Sequence, residues 1–258
     1  WSLVALGGHA VRLGYNVLHY TLELGEEYVG KRYDAFFTKI PVNKIDSQRE
    51  KVEEIIPQLP GKLIIKEYPT GRASVSTIES HISKSTSMGV KPDLVIIDYV
   101  DLLSSRKTNR ERKDEIDDIY TSTKGLARQL NIPIWSVSQV NRAGAQDKVI
   151  QGDKAAGSYD KIMIADFAMS LSRQKKDKVN GTGRFHIMKN RYGADGMSFN
   201  AKVDTSTGHI DIMGELGEDE EEEMTNNNKS KSTGFNTGLD NFDREHLSKQ
   251  FFELSGNI

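Results

Sequence analysis

The stretch Asp93–Gln139, DLVIIDYVDLLSSRKTNRERKDEIDDIYTSTKGLARQLNIPIWSVSQ, decides how this sequence is read. Four aliphatic residues, Leu94–Ile97, are closed by Asp98, which predicts a buried strand ending in a carboxylate. A charged loop follows. A helix is then expected over about Arg112–Leu130, with Ile116, Ile119, Tyr120, Leu126, Ala127 and Leu130 on one side. A second apolar run, Ile132–Ser138, predicts a neighbouring strand with Gln139 at its end. In open α/β sheets ligands bind beyond the carboxyl ends of the strands. An acid and an amide there can share a nucleotide's phosphates and magnesium. The pattern reads as half of a nucleotide-hydrolysing engine. The phosphate-cradling loop of such engines, G-x-x-x-x-G-K-[ST], occurs nowhere in the 258 residues, and the chain is expected to begin just after it.

Working outward, Ser2–Leu13 has near-helical apolar spacing and stops at Gly14. Val17–Leu22 reads as a buried strand, Glu26–Phe37 and Gln48–Leu59 as helices, Lys62–Tyr68 as a strand and Val75–Met88 as a polar helix. Strands alternating with helices argue for a mostly parallel sheet in an α/β fold. Further strands at Asp166–Ser172, Arg184–Lys189 and Met197–Val203 form an antiparallel extension, with Asn180-Gly181 as a hairpin signal. Residues 1–214 are expected to be one domain. From residue 215 the chain turns acidic and polar, which predicts a disordered tail over 215–258 with a short helix near Asp240–Leu254. Without the strand that precedes a phosphate loop, the sheet is expected to have a gap near its middle and marginal stability.

Composition narrows the function classes. With 36% hydrophobic and 28% charged residues this is a globular chain. It contains no run of about 18 apolar residues, which argues against a membrane span. The absence of cysteine excludes disulfides and thiolate metal sites and fits a reducing cytoplasm. The six histidines have no metal-ligand spacing. The net charge of −2 conceals a split: residues 215–258 hold 11 acidic and 4 basic side chains, leaving residues 1–214 at +5. A basic body suits a polyanion partner, though an ordinary solvated surface accounts for it equally well.

Three strand ends carry candidate chemistry. Asp98 can hold Mg²⁺ through water. Glu23, closing HYTLEL, can polarise an attacking water as general base. Gln139 can bond a γ-phosphate or a water. The bland alternatives are a solvent-facing acid, a helix-opening acid and a buried amide. Lys189 and Arg191 stand at i and i+2 of one expected strand and so point to the same side, where two cations could reach one phosphate cluster. Arg106, Lys107, Arg110, Arg112 and Lys113 crowd one loop that could track a phosphate backbone.

In their order these segments resemble DnaB-like hexameric replicative helicases. The carriers are Asp98-Tyr99, Asn109-Arg110, Gly125–Leu130, Ser138–Arg142 (SQVNR), the strand HYTLEL, MKNRYG (Met188–Gly193) and GDKAAGSYDKIMIAD (Gly152–Asp166). The resemblance covers roughly residues 1–212. It implies a RecA-type ATPase domain that binds ATP and Mg²⁺ between subunits of a homo-hexamer and moves on single-stranded DNA. Primase and a helicase loader are further partners it implies. It gives Glu23, Asp98, Gln139, Lys189 and Arg191 catalytic roles, the last two acting on a neighbour's nucleotide, with Asp98, Gln139 and Arg191 contacting ATP. It gives DNA contacts to Arg110, Arg112, Arg142, Lys154, Gly157 and Ser158. Lys154-Ala155-Ala156 departs from the family's arginine-acid pair, and Gly125 stands where the family usually has lysine. A location in the cytoplasm follows, the host's if the source is a bacteriophage. Two other readings stay open: a RecA/RadA- or KaiC-like ATPase, and an inert scaffold or loader-binding module.

Overall fold

The computed structural model describes residues 1–105, 112–139 and 160–216. They fall into two compact units: one carries Trp1–Gln139 with residues 160–164 and 203–210, the other residues 165–202 and 211–216.

The first unit is built on a parallel sheet. Its strands are β1 (Val17–Thr21), β2 (Leu63–Glu67), β3 (Leu94–Asp98) and β4 (Ile134–Ser136), in the order β2-β1-β3-β4. Every residue of β1 is buried, as a central strand covered on both faces requires. Strand alternation assigns the two faces. Leu18, Tyr20, Leu22, Val95 and Ile97 pack into one cluster with Ile78 and Ile82 of α4 (Val75–Ser87) and with Ile119 and Leu126 of α5 (Arg112–Leu130). Val17, Leu94 and Ile96 pack on the other face with α1 (Ser2–Arg12) and α2 (Glu26–Thr38), through Leu3, Val4, Val11, Val29, Tyr33 and Phe36. Ser74 caps α4 by accepting from the Thr77 N–H at 3.3 Å, and the Thr77 hydroxyl accepts from the Ser74 N–H at 3.1 Å. Asn131 ends α5 in the left-handed conformation that asparagine tolerates at this position.

The second unit holds an antiparallel sheet, β5 (Phe167–Ser172), β6 (Thr182–Asn190), β7 (Ser198–Val203) and β8 (Ile210–Glu215), paired in sequence order. The regular buried-and-partly-exposed alternation along β6 marks a sheet with one covered face.

The α/β architecture and most expected elements are present, with informative differences. Among the described strands the parallel sheet runs unbroken from β2 to β4, β1 pairing with β2 and β3 and β3 with β4, and the antiparallel strands expected to extend it form a sheet of their own. The expected helix Gln48–Leu59 is α3 (Arg49–Ile55) framed by two 3-10 turns, Val42–Gln48 and Ile56–Gln58. Pro57, which has no N–H to continue an α-helix, sits inside the second of these turns. Asn180-Gly181 does not form a tight hairpin. It ends a short helix, α7 (Lys175–Asn180), where Gly181 takes a left-handed φ of 65° as the cap. β5 and β6 still pair antiparallel around it. The short helix α6 (Asp160–Ile164) and strand β8 were not expected. β8 runs to Glu215 and Leu216 is buried, so ordered chain continues past the expected boundary at 214. The acidic run from 217 and the helix near Asp240–Leu254 lie outside the described residues.

Candidate functional site

Parallel pairing sets the site. Thr21 of β1 lies opposite Asp98 of β3, and Leu22 N–H donates to the Asp98 carbonyl at 2.8 Å. Glu23 therefore leaves β1 two residues beyond the partner of Asp98, and the two carboxylates emerge from adjacent strand ends. The turn that presents Glu23 is fixed by two threonines. Thr21 Oγ1 donates to the Leu24 carbonyl at 2.7 Å and accepts from the Leu24 N–H at 3.2 Å, while Thr70 Oγ1 donates to the Leu22 carbonyl at 2.7 Å. Sequence reasoning missed both threonines. Polar residues at and beyond an apolar strand end were the available signal.

Asp98 is half-buried and Glu23 exposed. Burial raises the Asp98 carboxyl above the ordinary carboxylate range, and Glu23 raises it further, against the Trp1 ammonium and then Arg32, which lower it. Two neighbouring carboxylates whose charges oppose each other favour a bound cation. Mg²⁺ commonly takes only one or two carboxylates, keeping waters and substrate phosphates as its other ligands. Among the described residues no group of three or more acidic or histidine side chains could hold a metal. The donor set at Asp98 thus fits Mg²⁺ held partly by water and phosphate, and does not fit an all-protein cage.

Strand alternation turns Asp98 to the α1/α2 face, where it lines a small pocket with His19, Arg32 and the first turn of α1. His19 is 1% exposed. Its Nδ1 is hydrogen-bonded to Tyr33 Oη at 2.8 Å, and its Nε2 has no hydrogen-bond partner among the described residues. Burial, with the Trp1 ammonium and the Arg32 cation nearby, lowers its pKa to about 3, so the ring is neutral at physiological pH. Neither His19 nor Arg32 was picked out from the sequence, where a histidine within a strand reads as core.

Gln139 follows β4 and is exposed. Its approach is tied to β3 through Ser136, whose Oγ donates to the Ile97 carbonyl at 2.8 Å and accepts from the Val100 N–H at 3.0 Å. The structure therefore gathers Glu23, Asp98 and the end of β4 along one sheet edge. Lys189 and Arg191 belong to the second unit. β6 ends at Asn190, so Arg191 lies in the turn and not two residues along the same strand, although its N–H still donates to the Asp166 carbonyl at 2.9 Å. The Arg191 side chain pairs with Asp166 at 2.8 Å. Arg112 and Lys113 open α5 and are not part of an irregular loop. Arg112 donates to the Asp101 carbonyl at 2.8 Å and Lys113 pairs with Asp160 at 3.0 Å. Arg110, Arg142, Lys154, Gly157 and Ser158 lie outside the described residues. Gly25–Lys31 has the glycine and lysine spacing of a phosphate loop, but Arg32 replaces its Ser/Thr. The stretch is wound into α2, where Lys31 pairs with Asp46 at 2.7 Å. No described helix is long and apolar enough to cross a membrane.

Residues 4–204 match the DnaB-like helicase C terminal domain family. The chain is 24% identical over 208 residues to the DnaB-like replicative helicase of Enterobacteria phage T4, covering 74% of this chain and 43% of that protein. It is 28% identical over 193 residues to the replicative DNA helicase DnaB of Helicobacter pylori, covering 67% and 39%. It thus spans less than half the length of these relatives. Among solved structures it resembles a DnaB-like replicative helicase described with its interactions with primase (TM-score 0.69, 22% identity, 80% of this chain and 54% of that one). It also resembles a second solved chain, described as an ATPase domain (TM-score 0.68, 22% identity, 81% and 80%). At these identities the structural matches speak for the fold.

Proposed function

The chain belongs to the DnaB-like helicase C-terminal domain family, and from that premise we propose that it is the motor of a replicative helicase, hydrolysing ATP to move along single-stranded DNA and unwind duplex DNA. Family membership supports the helicase and ATPase role. The observation that carries the finer reading is the pair of carboxylates at adjacent strand ends, Glu23 beside Asp98, with Gln139 leaving β4 on the other side of β3.

The roles follow from the surroundings. Mg²⁺, when bound, neutralises phosphate charge, and Asp98 is the group that would hold it through water. Exposed Glu23, on a turn held by Thr21 and Thr70, takes the proton of the attacking water. Gln139 bonds the γ-phosphate or that water. Lys189 and Arg191 act on the nucleotide of a neighbouring subunit in a homo-hexamer. An arginine supplied in this way is typically worth about 10³–10⁵ in rate. Arg110, Arg112, Arg142, Lys154, Gly157 and Ser158 contact DNA, and primase and a loader are the protein partners. The preference over a RecA/RadA- or KaiC-like ATPase rests on the family match across residues 4–204.

The test uses the full-length natural protein that carries this chain. Glu23→Gln is expected to abolish ATP turnover while MgATP affinity, measured by calorimetry, stays near wild type. Rings mixed from Glu23→Gln and Arg191→Ala subunits are expected to regain part of the turnover, because some interfaces then combine an intact Glu23 with an intact Arg191. Near-wild-type turnover by Glu23→Gln removes it as the base. Flat activity at every mixing ratio, with mixed rings verified, removes Arg191 from the trans role.

A further inference from the structure

Lys161 is a buried cation that none of these roles uses. It lies on α6 at 5% exposure, a burial that lysine tolerates only with partners. Its Nζ pairs with Asp101, itself buried, and also donates to Ser138 Oγ at 3.2 Å. Tyr120 of α5 donates its hydroxyl to the second Asp101 oxygen at 2.9 Å, and the Lys161 ammonium stands 5.5 Å from the centre of the Tyr120 ring. Arg112 donates to the Asp101 carbonyl at 2.8 Å, so Asp101 is engaged through side chain and backbone together. α6 is itself anchored on α5 by the Lys113–Asp160 pair and by Lys124 Nζ, which donates to the Ile164 carbonyl at 2.7 Å.

The two ends of this contact have specific addresses. Asp101 stands three residues after Asp98 in the 3-10 turn that leaves β3. Ser138 immediately precedes Gln139. Ser136 already ties β4 to β3 at Ile97 and Val100, but that tie lies three residues before Gln139. The Lys161 ammonium supplies a second tie, next to the amide itself. An ammonium has three donors and no preferred plane, so one nitrogen can satisfy a carboxylate and a hydroxyl on different segments.

We infer that Lys161 is a positioning residue for the hydrolysis reaction: it spans Asp101 and Ser138 and thereby fixes where Gln139 stands relative to Asp98. This inference rests on the motor reading above. A strut of this kind acts on geometry after nucleotide has bound, so its loss lowers kcat and leaves the KM for ATP nearly unchanged. Misplacing a reacting group by about 1 Å costs on the order of a hundredfold in rate, so a loss of about tenfold to a hundredfold is expected.

The experiment compares Lys161→Met, Asp101→Asn, Gln139→Ala and Lys161→Met/Gln139→Ala in the full-length natural protein, with Glu23→Gln as reference. Turnover is normalised to folded protein, and amide hydrogen exchange is read over Val137–Gln139 and over Leu94–Ile97. Asp101→Asn preserves shape and the Tyr120 contact, so it reports if Lys161→Met folds poorly. The expected result has three parts. In Lys161→Met and Asp101→Asn, kcat falls with little change in KM. Exchange rises at Val137–Gln139 and stays low at Leu94–Ile97. The double variant is no slower than Gln139→Ala alone, because the strut acts through that amide. Unchanged turnover per folded molecule, additive losses, or exchange that rises equally in both segments would overturn the inference. If Glu23→Gln keeps its turnover, only the assignment of Glu23 as the base fails; if the wild-type protein turns over no ATP, the motor reading fails by itself. Lys161 is then judged on exchange alone, and slow exchange at Val137–Gln139 in Lys161→Met overturns the strut.

Discussion

Gly7 sits where α1 crosses α2 and β3, and replacing it with alanine sets two large effects against each other. In an exposed helix Gly7→Ala would stabilise by about 1 kcal/mol through backbone entropy. Here the added Cβ would lie 2.2 Å from Tyr33 Oη, 2.9 Å from Ile96 Cδ1 and 3.1 Å from Tyr33 Cζ. Tyr33 is 1% exposed, with little room to give way. Overpacking of this kind costs about 1–3 kcal/mol. The hydroxyl that must move is the partner of His19 Nδ1, and leaving a buried polar group unpaired costs about a further 1–3 kcal/mol. Clash and lost pairing outweigh propensity, and Gly7→Ala is expected to destabilise by about 1–5 kcal/mol. The assay is urea unfolding followed by tryptophan fluorescence. Both tryptophans of the chain, Trp1 and Trp135, pack against the α1/α2 cluster, so they report this unit. A second background separates the causes. Tyr33→Phe removes the atom at 2.2 Å, leaving the flexible end of Ile96 and a ring carbon at 3.1 Å, so Gly7→Ala should cost markedly less in that background. Equal costs in the two backgrounds, to within about 0.5 kcal/mol, or plain stabilisation of the wild-type background, would refute the packing argument.

Two further outcomes follow from buried charge. His19, held neutral with a pKa of about 3, titrates near its ordinary value of about 6.5 once unfolded. Its depressed pKa means that the unfolded chain takes up the proton first. Its contribution to stability is therefore complete above about pH 6.5 and is lost as pH falls toward 3, at up to about 1.4 kcal/mol per pH unit. His19→Phe should remove that part of the slope, and urea midpoints between about pH 4.5 and 7 measure it; an unchanged slope would place the titration elsewhere. In the second unit, Asp177 accepts from Arg184 through both guanidinium ends at 2.9 and 3.0 Å, from the Gln174 N–H at 2.8 Å and from the Thr182 hydroxyl at 3.1 Å. Burial alone would raise its carboxyl, but these donors hold it below the ordinary range. Its stabilisation is thus present above the unfolded carboxylate value of about 3.9 and lost on further acidification. Asp177→Ala, which strands Arg184, should cost about 3–5 kcal/mol near neutral pH, as measured by urea unfolding.

What was legible in the sequence was whatever burial writes into a short window. Leu94–Asp98 and Arg112–Leu130 coincide with β3 and α5 because an aliphatic run and a helical apolar stripe each report a covered surface. β8 escaped because Ile210–Glu215 alternates weakly, and its partner strand supplies what its own sequence lacks. Asn180-Gly181 misled because a left-handed glycine serves a helix cap as readily as a hairpin turn, and local chemistry does not separate the two. At the site, Glu23 and Asp98 were readable as strand ends, but their adjacency depends on the parallel register that sets Thr21 opposite Asp98, and no single strand contains it. The same holds for the groups that were missed. His19, Lys161 and Thr70 look ordinary alone, and each acquires meaning only from a partner 14, 60 or 48 positions away. The candidate site carboxylates can thus be found from strand ends, whereas the groups packed around them are written in long-range contacts. Lys161 is the sharpest instance: read locally it is one more charge on a short helix, and only Asp101 and Ser138 turn it into a brace between two segments of the site.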